Sequence, residues 1–223
     1  MSPVLAVGAL IAGYLVGAVS PASLVARRRG VDLRGVGSGN PGASNAGRAL
    51  GRKTGIAVAM LDVAKGAGPA VAFGAVDHRA GLVAGLAAVL GHVSSPFLRG
   101  RGGKGVATAA GAILGSQPLW SPVVLLVWIL VLAVTRWIAL ASMLAATSVL
   151  VVAVVLREDR IWAALLAVVV VARHKDNVAR RRSGRRRSGK GPSGRGRSGK
   201  GPSTASGPST PGTTTGGEGP SPS

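Results

Sequence analysis

Three clusters of small, polar and basic residues are the part of this 223-residue sequence best equipped for chemistry. The first reads Gly37-Ser38-Gly39-Asn40-Pro41-Gly42-Ala43-Ser44-Asn45-Ala46-Gly47-Arg48. Its glycines leave backbone N–H groups uncovered, Ser38 and Ser44 add hydroxyls, and Asn40 and Asn45 add amides. Arg48 supplies a planar fork of donors that matches a phosphate. These are the parts of an anion site, although the same residues also suit a solvated, turn-rich loop.

The second cluster is Arg99-Gly100-Arg101-Gly102-Gly103-Lys104-Gly105-Val106-Ala107-Thr108, which opens an apolar stretch. If that stretch is helical, loop amides and a helix N-terminus both face whatever binds there. It is not a nucleotide-binding P-loop. That pattern needs Gly at 98, which is Leu98, and Ser or Thr at 105, which is Gly105. Contact with lipid headgroups is the plainer use of the same charges. The third cluster, Arg173-His174-Lys175-Asp176-Asn177, follows the last apolar run, and His174 and Asn177 share a helical face at i,i+3. Within apolar runs, Asp62 and Lys65 have the spacing of an ion pair, and Ser142 is a lone small hydroxyl.

The exclusions narrow the chemistry. No Cys is present, so thiolate nucleophiles, zinc knuckles and disulfides are absent. Three His and seven acidic residues make a carboxylate-rich metal site a poor expectation. The His-x4-Asp acyltransferase motif fails at all three histidines, since the fifth position after His78, His92 and His174 holds Val83, Phe97 and Ala179. There is no GxSxG elbow and no HExxH. What remains is a set of cations and amides suited to an anionic, phosphate-bearing substrate.

The elements that must carry these clusters are membrane helices. The chain has a formal charge of +20, yet 47% of it is hydrophobic and its mean hydropathy is +0.40. Charge and apolar residues therefore sit in different places. The end of the chain holds tandem RRRSG and RSGKGPS repeats and then dissolves into Ser, Thr, Gly and Pro, a composition that cannot offset chain entropy by burial. We expect a membrane domain over 1–180 and a disordered basic tail over 181–223. Apolar stretches fall at roughly 3–26, 55–76, 80–98, 105–117, 119–135, 138–156 and 160–173, with the fourth short and Gly/Ala-rich. The fold class expected is an all-α, polytopic helical bundle of about seven spans. Arg27-Arg28-Arg29 follows the first apolar run rather than preceding it, which marks an anchor instead of a signal peptide.

Charge orients the bundle. Loops after spans one, three and five carry Arg27, Arg28, Arg29, Arg34, Arg48, Arg52, Lys53, Arg99, Arg101, Lys104 and Arg136. The other loops carry Arg79, Arg157 and Arg160, offset by Asp77, Glu158 and Asp159. The positive-inside rule then places the N-terminus outside, the C-terminus in the cytoplasm, and all three clusters on the cytoplasmic face.

GSGNPGASNAGR at 37–48, LDVAKG at 61–66, GHVSSPFLRGRGGKGVAT at 91–108, LAS at 140–142 and RHKDN at 173–177 resemble the bacterial membrane glycerol-3-phosphate acyltransferases of the PlsY family. The resemblance covers about 1–180, with the motifs in the family's order. It departs after Asn177, where Arg180-Arg181-Arg182 and the repeats replace the usual short apolar stretch and Gly. The resemblance implies transfer of an acyl group from acyl-phosphate to the 1-position of glycerol 3-phosphate. It implies Ser38, Arg48, Lys104, Ser142 and His174 as catalytic residues. Asn40, Ser44, Asn45, Gly102, Gly103, Gly105 and Asn177 are then the substrate-binding residues. It further implies no metal, no cofactor, no acyl-CoA and no protein base, and a place in the bacterial inner (plasma) membrane. The competing reading is an anion or phosphate transporter. Such a protein would place its polar site near the bilayer midplane, often between inverted repeats, and none is evident. The tail lacks aromatic residues for base stacking, so anionic lipid headgroups rather than nucleic acid are its expected partner.

Overall fold

The computed structural model describes residues 1–175. Within them the chain is helical, with two short 3-10 turns and no strand. The helices are α1 (Pro3–Ala18), α2 (Pro21–Arg28), α3 (Ala43–Leu50), α4 (Arg52–Gly74), α5 (His78–Val93), α6 (Val106–Ser116), α7 (Ser121–Thr135), α8 (Ile138–Leu156) and α9 (Arg160–Ala172). The all-α expectation is met, and residues 181–223 lie outside the described part.

The first expected span is in fact two helices. Pro21 has no N–H to continue the ladder, and Val19 and Ser20 adopt extended backbone before α2 restarts with the Ser20 hydroxyl as its cap. Such a break leaves orphan carbonyls, which are costly away from water. Both are met from elsewhere: the Ser95 hydroxyl donates to Ala18 O at 2.6 Å, and Lys65 Nζ donates to Val19 O at 2.6 Å.

The helices run between two ends of one bundle, with α5 at its centre. Small residues set the spacing. A Cβ on Gly13 or Gly17 of α1 would strike the backbone of Ala84 or Ala88 in α5. In the same way one on Gly66 of α4 would strike Thr108 O in α6, and one on Gly111 of α6 would strike Val63 O in α4. With lipid outside, such close backbone approach is a main source of helix association. Tyr14 OH donates to Ser94 O at 3.0 Å, tying the far halves of α1 and α5. A second apolar core joins α5, α6, α8 and α9 around Val89, Val149, Trp162 and Leu166. The Trp162 indole N–H donates to Leu82 O at 2.9 Å.

Five helical stretches are long and apolar enough to cross a membrane: Pro3–Arg28, Arg52–Gly74, His78–Leu98, Pro118–Thr135 and Ile138–Leu156. The expected fourth and seventh spans are helices of only 11 and 13 residues. At about 1.5 Å per residue these reach roughly 16 and 20 Å, short of a bilayer core of about 30 Å. Both lie against α5 instead of standing alone in lipid. α7 is the opposite case: none of its residues is buried and nearly all are apolar, as a lipid-facing helix requires.

Candidate active site

Asn45 organises the first cluster. It projects from α3 and is buried. Its Oδ1 accepts the Ser38 N–H at 3.0 Å, while its Nδ2 donates to Leu33 O at 2.9 Å and Val36 O at 3.0 Å. One amide thereby folds residues 33–38 into a fixed loop. Gly37 is needed here for two reasons: its φ is +59°, and a Cβ would land on Asn45 Oδ1. Arg48, one turn further along α3, reaches Asn45 Oδ1 at 3.4 Å and the Ser38 hydroxyl at 3.5 Å. Ser38 and Arg48, members of the same cluster in the sequence, thus stand together. Asn45 braces them, and its donors are taken up by the chain itself. Asn40 is half-buried beside Gly42, and Ser44 is exposed on α3.

The second cluster is pinned from three directions. Gly102 N–H donates to Val93 O at 3.2 Å and Gly103 N–H to His92 O at 3.0 Å, folding the loop back on the end of α5. A Cβ on Gly102 would collide with His92 O, and one on Gly103 with His92 Nε2, so only glycine lets the loop lie this close. These two N–H groups point into the protein, contrary to the expectation that loop amides face a ligand. Backbone donors near the end of a buried helix need partners, and the α5 carbonyls supply them. Gly105 takes φ +80° and starts α6. Arg34 donates to Leu98 O at 3.1 Å, bridging the first and second clusters.

Arg173 supplies the third hold, donating from Nε to Gly103 O at 3.3 Å and from its terminal nitrogen to Gly102 O at 3.1 Å. This residue stood in the RHKDN motif without an assigned role. Its signal was available, since a guanidinium is well matched to two adjacent carbonyls, but no sequence spacing says which carbonyls will be near.

His174 is buried, and its Nδ1–H donates to Val170 O at 2.7 Å. That leaves Nε2 as the acceptor of the neutral ring. Burial pushes the imidazole below its ordinary value, the Val170 carbonyl opposes this, and the nearby Lys104 ammonium adds to the depression. Lys104 and His174 are therefore close enough to feel each other. The structure thus gathers Ser38, Arg48, Lys104 and His174 at one end of the bundle.

Ser142 has different company. Its hydroxyl donates to Ile138 O at 2.8 Å and accepts the Trp128 indole N–H at 3.3 Å, so its hydrogen bonds run to α7 and α8 and not to the two loops. Asn177 lies outside the described residues. Among the described residues no group of three or more His, Asp or Glu side chains could hold a metal ion.

Below the glycine loop lies a buried polar set. Asp62 and Lys65 form the expected ion pair at 2.8 Å, and His92 Nδ1 stands 3.5 Å from Asp62 Oδ1. The participation of His92 was not foreseen, because 27 residues separate it from Lys65 in the chain.

Known proteins are similar to this chain in both sequence and fold. Residues 7–184 match the family model described as glycerol-3-phosphate acyltransferase. The glycerol-3-phosphate acyltransferase of Geobacter sulfurreducens is 44% identical over 177 residues, covering 77% of this chain and 91% of the relative. That of Thermus thermophilus is 43% identical over 187 residues, covering 80% and 92%. The crystal structure of PlsY (YgiH), an integral membrane glycerol 3-phosphate acyltransferase, is similar in its glycerol 3-phosphate form with a TM-score of 0.76 at 36% identity, covering 81% of this chain and 93% of that one. Its lysophosphatidic acid form gives 0.74 at 35%. This chain therefore belongs to the glycerol-3-phosphate acyltransferase family, as a helical integral membrane acyltransferase of phospholipid synthesis akin to PlsY.

Proposed function

We propose that the protein transfers a fatty acyl group from acyl-phosphate to the 1-hydroxyl of sn-glycerol 3-phosphate, giving 1-acyl-glycerol 3-phosphate and inorganic phosphate. The observation that carries this reading is that the loop leading to the Ser38–Arg48 pair is tied through Arg34 to Leu98 at the start of the glycine loop, while Arg173 holds Gly102 and Gly103 beside Lys104. It is supported by the similar PlsY structures in glycerol 3-phosphate and lysophosphatidic acid forms.

Acyl-phosphate is a mixed anhydride, so its carbonyl carbon is already activated. The difficulty is bringing two phosphate-bearing molecules together against their repulsion. Arg48 and Lys104 offset that charge, and Ser38 orients a phosphate oxygen. The glycerol oxygen forms the new C–O bond to the acyl carbon, and the bond from that carbon to the phosphate oxygen breaks. A phosphate oxygen takes the hydroxyl proton, so no protein base is required. His174, neutral through burial, offers Nε2 as an acceptor that helps orient glycerol 3-phosphate, with Ser142 and Asn177 as further binding groups. Asn40, Ser44, Asn45 and the glycines 102, 103 and 105 shape the two loops around the substrates. The acyl chain lies between the membrane helices.

The basic end, with Arg27–Arg29, Arg52, Lys53, Arg99, Arg101 and Arg136, faces the cytoplasm of a bacterial inner membrane. The N-terminus then lies outside and the C-terminus inside, and the basic tail at 181–223 lies on anionic headgroups. Purified protein given glycerol 3-phosphate with either acyl-phosphate or acyl-CoA tests the reaction. Lysophosphatidic acid and inorganic phosphate from acyl-phosphate are expected. Product from acyl-CoA alone, or from neither donor, overturns the reading and in the second case revives a transporter.

A further inference from the structure

The glycine loop rests on a buried polar relay that the proposed reaction does not use. Lys65 Nζ, in α4, holds Val19 O where the first span is broken and pairs with Asp62 at 2.8 Å. Asp62 faces His92 Nδ1 at 3.5 Å, and among the described residues no hydrogen bond reaches that nitrogen. On its other edge the same ring underlies Gly103, with Nε2 at the place where a Cβ would stand, and the His92 carbonyl accepts the Gly103 N–H at 3.0 Å. Asp62, Lys65 and His92 are all buried.

A buried carboxylate costs heavily unless its surroundings answer it, and here two side chains converge on it. Its attraction for an N–H sets the His92 ring with Nδ1–H toward Asp62. The orientation of that ring in turn decides how far Gly103 can settle onto the end of α5. Lys104 is the next residue, so the height of the loop decides where the ammonium stands. Arg173 pulls the same two residues from the opposite side through their carbonyls.

We propose that Asp62 and His92 are positioning residues for the acyl transfer: acting from inside the membrane domain, they hold the glycine loop so that Lys104 meets the phosphate charge. This assignment rests on the acyl-phosphate reading given above. A 1 Å error in placing a charged group is enough to cost rate without unfolding anything.

A double-mutant cycle on the full-length purified protein tests it, with acyl-phosphate and glycerol 3-phosphate as substrates and thermal stability recorded alongside. Asp62→Asn is expected to lower kcat/KM about tenfold in the native background. In the Lys104→Ala background it should lower it by less than twofold, because there is no ammonium left to misplace. An equal factor in both backgrounds overturns the proposal, since a merely structural loss does not depend on Lys104. If Asp62→Asn does not fold, two replacements of His92 serve instead. His92→Asn keeps a donor near the Nδ1 position and should retain at least a third of native kcat/KM. His92→Phe keeps the ring but no donor and should lose tenfold or more. Equal activity in the two variants overturns the proposal. Failure of the reaction itself is separately visible, because the native protein would then give no product.

Discussion

The two ends of the bundle use charge in opposite ways. At the glycine-loop end, cations outnumber acids, and the arginines that make hydrogen bonds hold neutral acceptors: Arg29 the Leu50 carbonyl and the Thr54 hydroxyl, Arg34 the Leu98 carbonyl, Arg48 Ser38 and Asn45, and Arg173 the carbonyls of Gly102 and Gly103. At the other end charges find opposite charges. The amino terminus lies 3.1 Å from Asp77, and Asp159 joins His78 at 2.8 Å and also accepts from Gln117. Those contacts clamp the starts of α5 and α9 to the end of α6. One end is neutralised and closed. The other keeps an excess of positive charge organised by neutral partners, which suits it to meet an anionic substrate while remaining folded.

The comparison breaks most sharply at Lys104. Lys104→Ala should lower kcat/KM by a hundredfold or more, about 2–4 kcal/mol of transition-state stabilisation, with an unchanged unfolding temperature. Turnover near the native value in a folded variant would remove the glycine loop from the mechanism.

A smaller effect is expected at Gly103, where no charge changes. Gly103→Ala puts a methyl group on His92 Nε2, so the loop must rise; we expect a loss of ten- to thirtyfold in kcat/KM. Kinetics and melting measured on the same preparation separate this from simple destabilisation.

His174 sharpens the comparison through pH. Its folded value lies below the ordinary 6.5 because burial and Lys104 disfavour the charged ring. Stability contributed by the neutral ring is therefore complete above about 6.5 and is lost as pH falls through the lower folded value. If neutral Nε2 receives the substrate, the ratio of native to His174→Gln kcat/KM should be flat above that range and fall several-fold in acid. Taking the ratio cancels the titration of the substrate phosphate. A ratio that climbs in acid would mean that the imidazolium is the working form.

The least effect belongs to the closed end. His78→Ala breaks a half-exposed hydrogen bond to Asp159 and should cost at most about 1 kcal/mol of stability. Activity should stay within twofold. A tenfold loss would show that the two ends are coupled, contrary to the division drawn above.

Much of this was legible in the sequence, and the parts that were not share a cause. The long apolar helices, their order and the basic clusters follow from apolar runs and local spacing, whereas the break between α1 and α2 and the short helix α3 were not expected. Ser38 and Arg48 come together because ten residues of loop and one short helix can place them without help from distant elements. The extents of α6 and α9 were close to those expected, but whether such short helices cross the bilayer does not follow from hydropathy, which reports only that a stretch avoids water. It does not distinguish a lipid partner from α5. Ser142 entered the site through the family resemblance alone, and only the packed structure shows its hydroxyl engaged by Ile138 and Trp128. On a helix, the face a residue presents matters as much as its height, and that depends on which neighbour packs there.

Composition and periodicity by themselves determined an all-helical membrane protein with its cations gathered in three places and no thiol chemistry. Bilayer solvation imposes the helices and keeps most charges out of the apolar runs whatever the partners, and the absence of thiols is read directly from the composition. Only the tertiary structure decided that Arg173 grips Gly102 and Gly103, that Asn45 braces the first loop rather than leaving its amide open, and that His92 stands between Asp62 and the glycine loop. Hydrogen bonds act over about 3 Å. Residues 70 positions apart reach that distance only after the small-residue faces of the helices have packed.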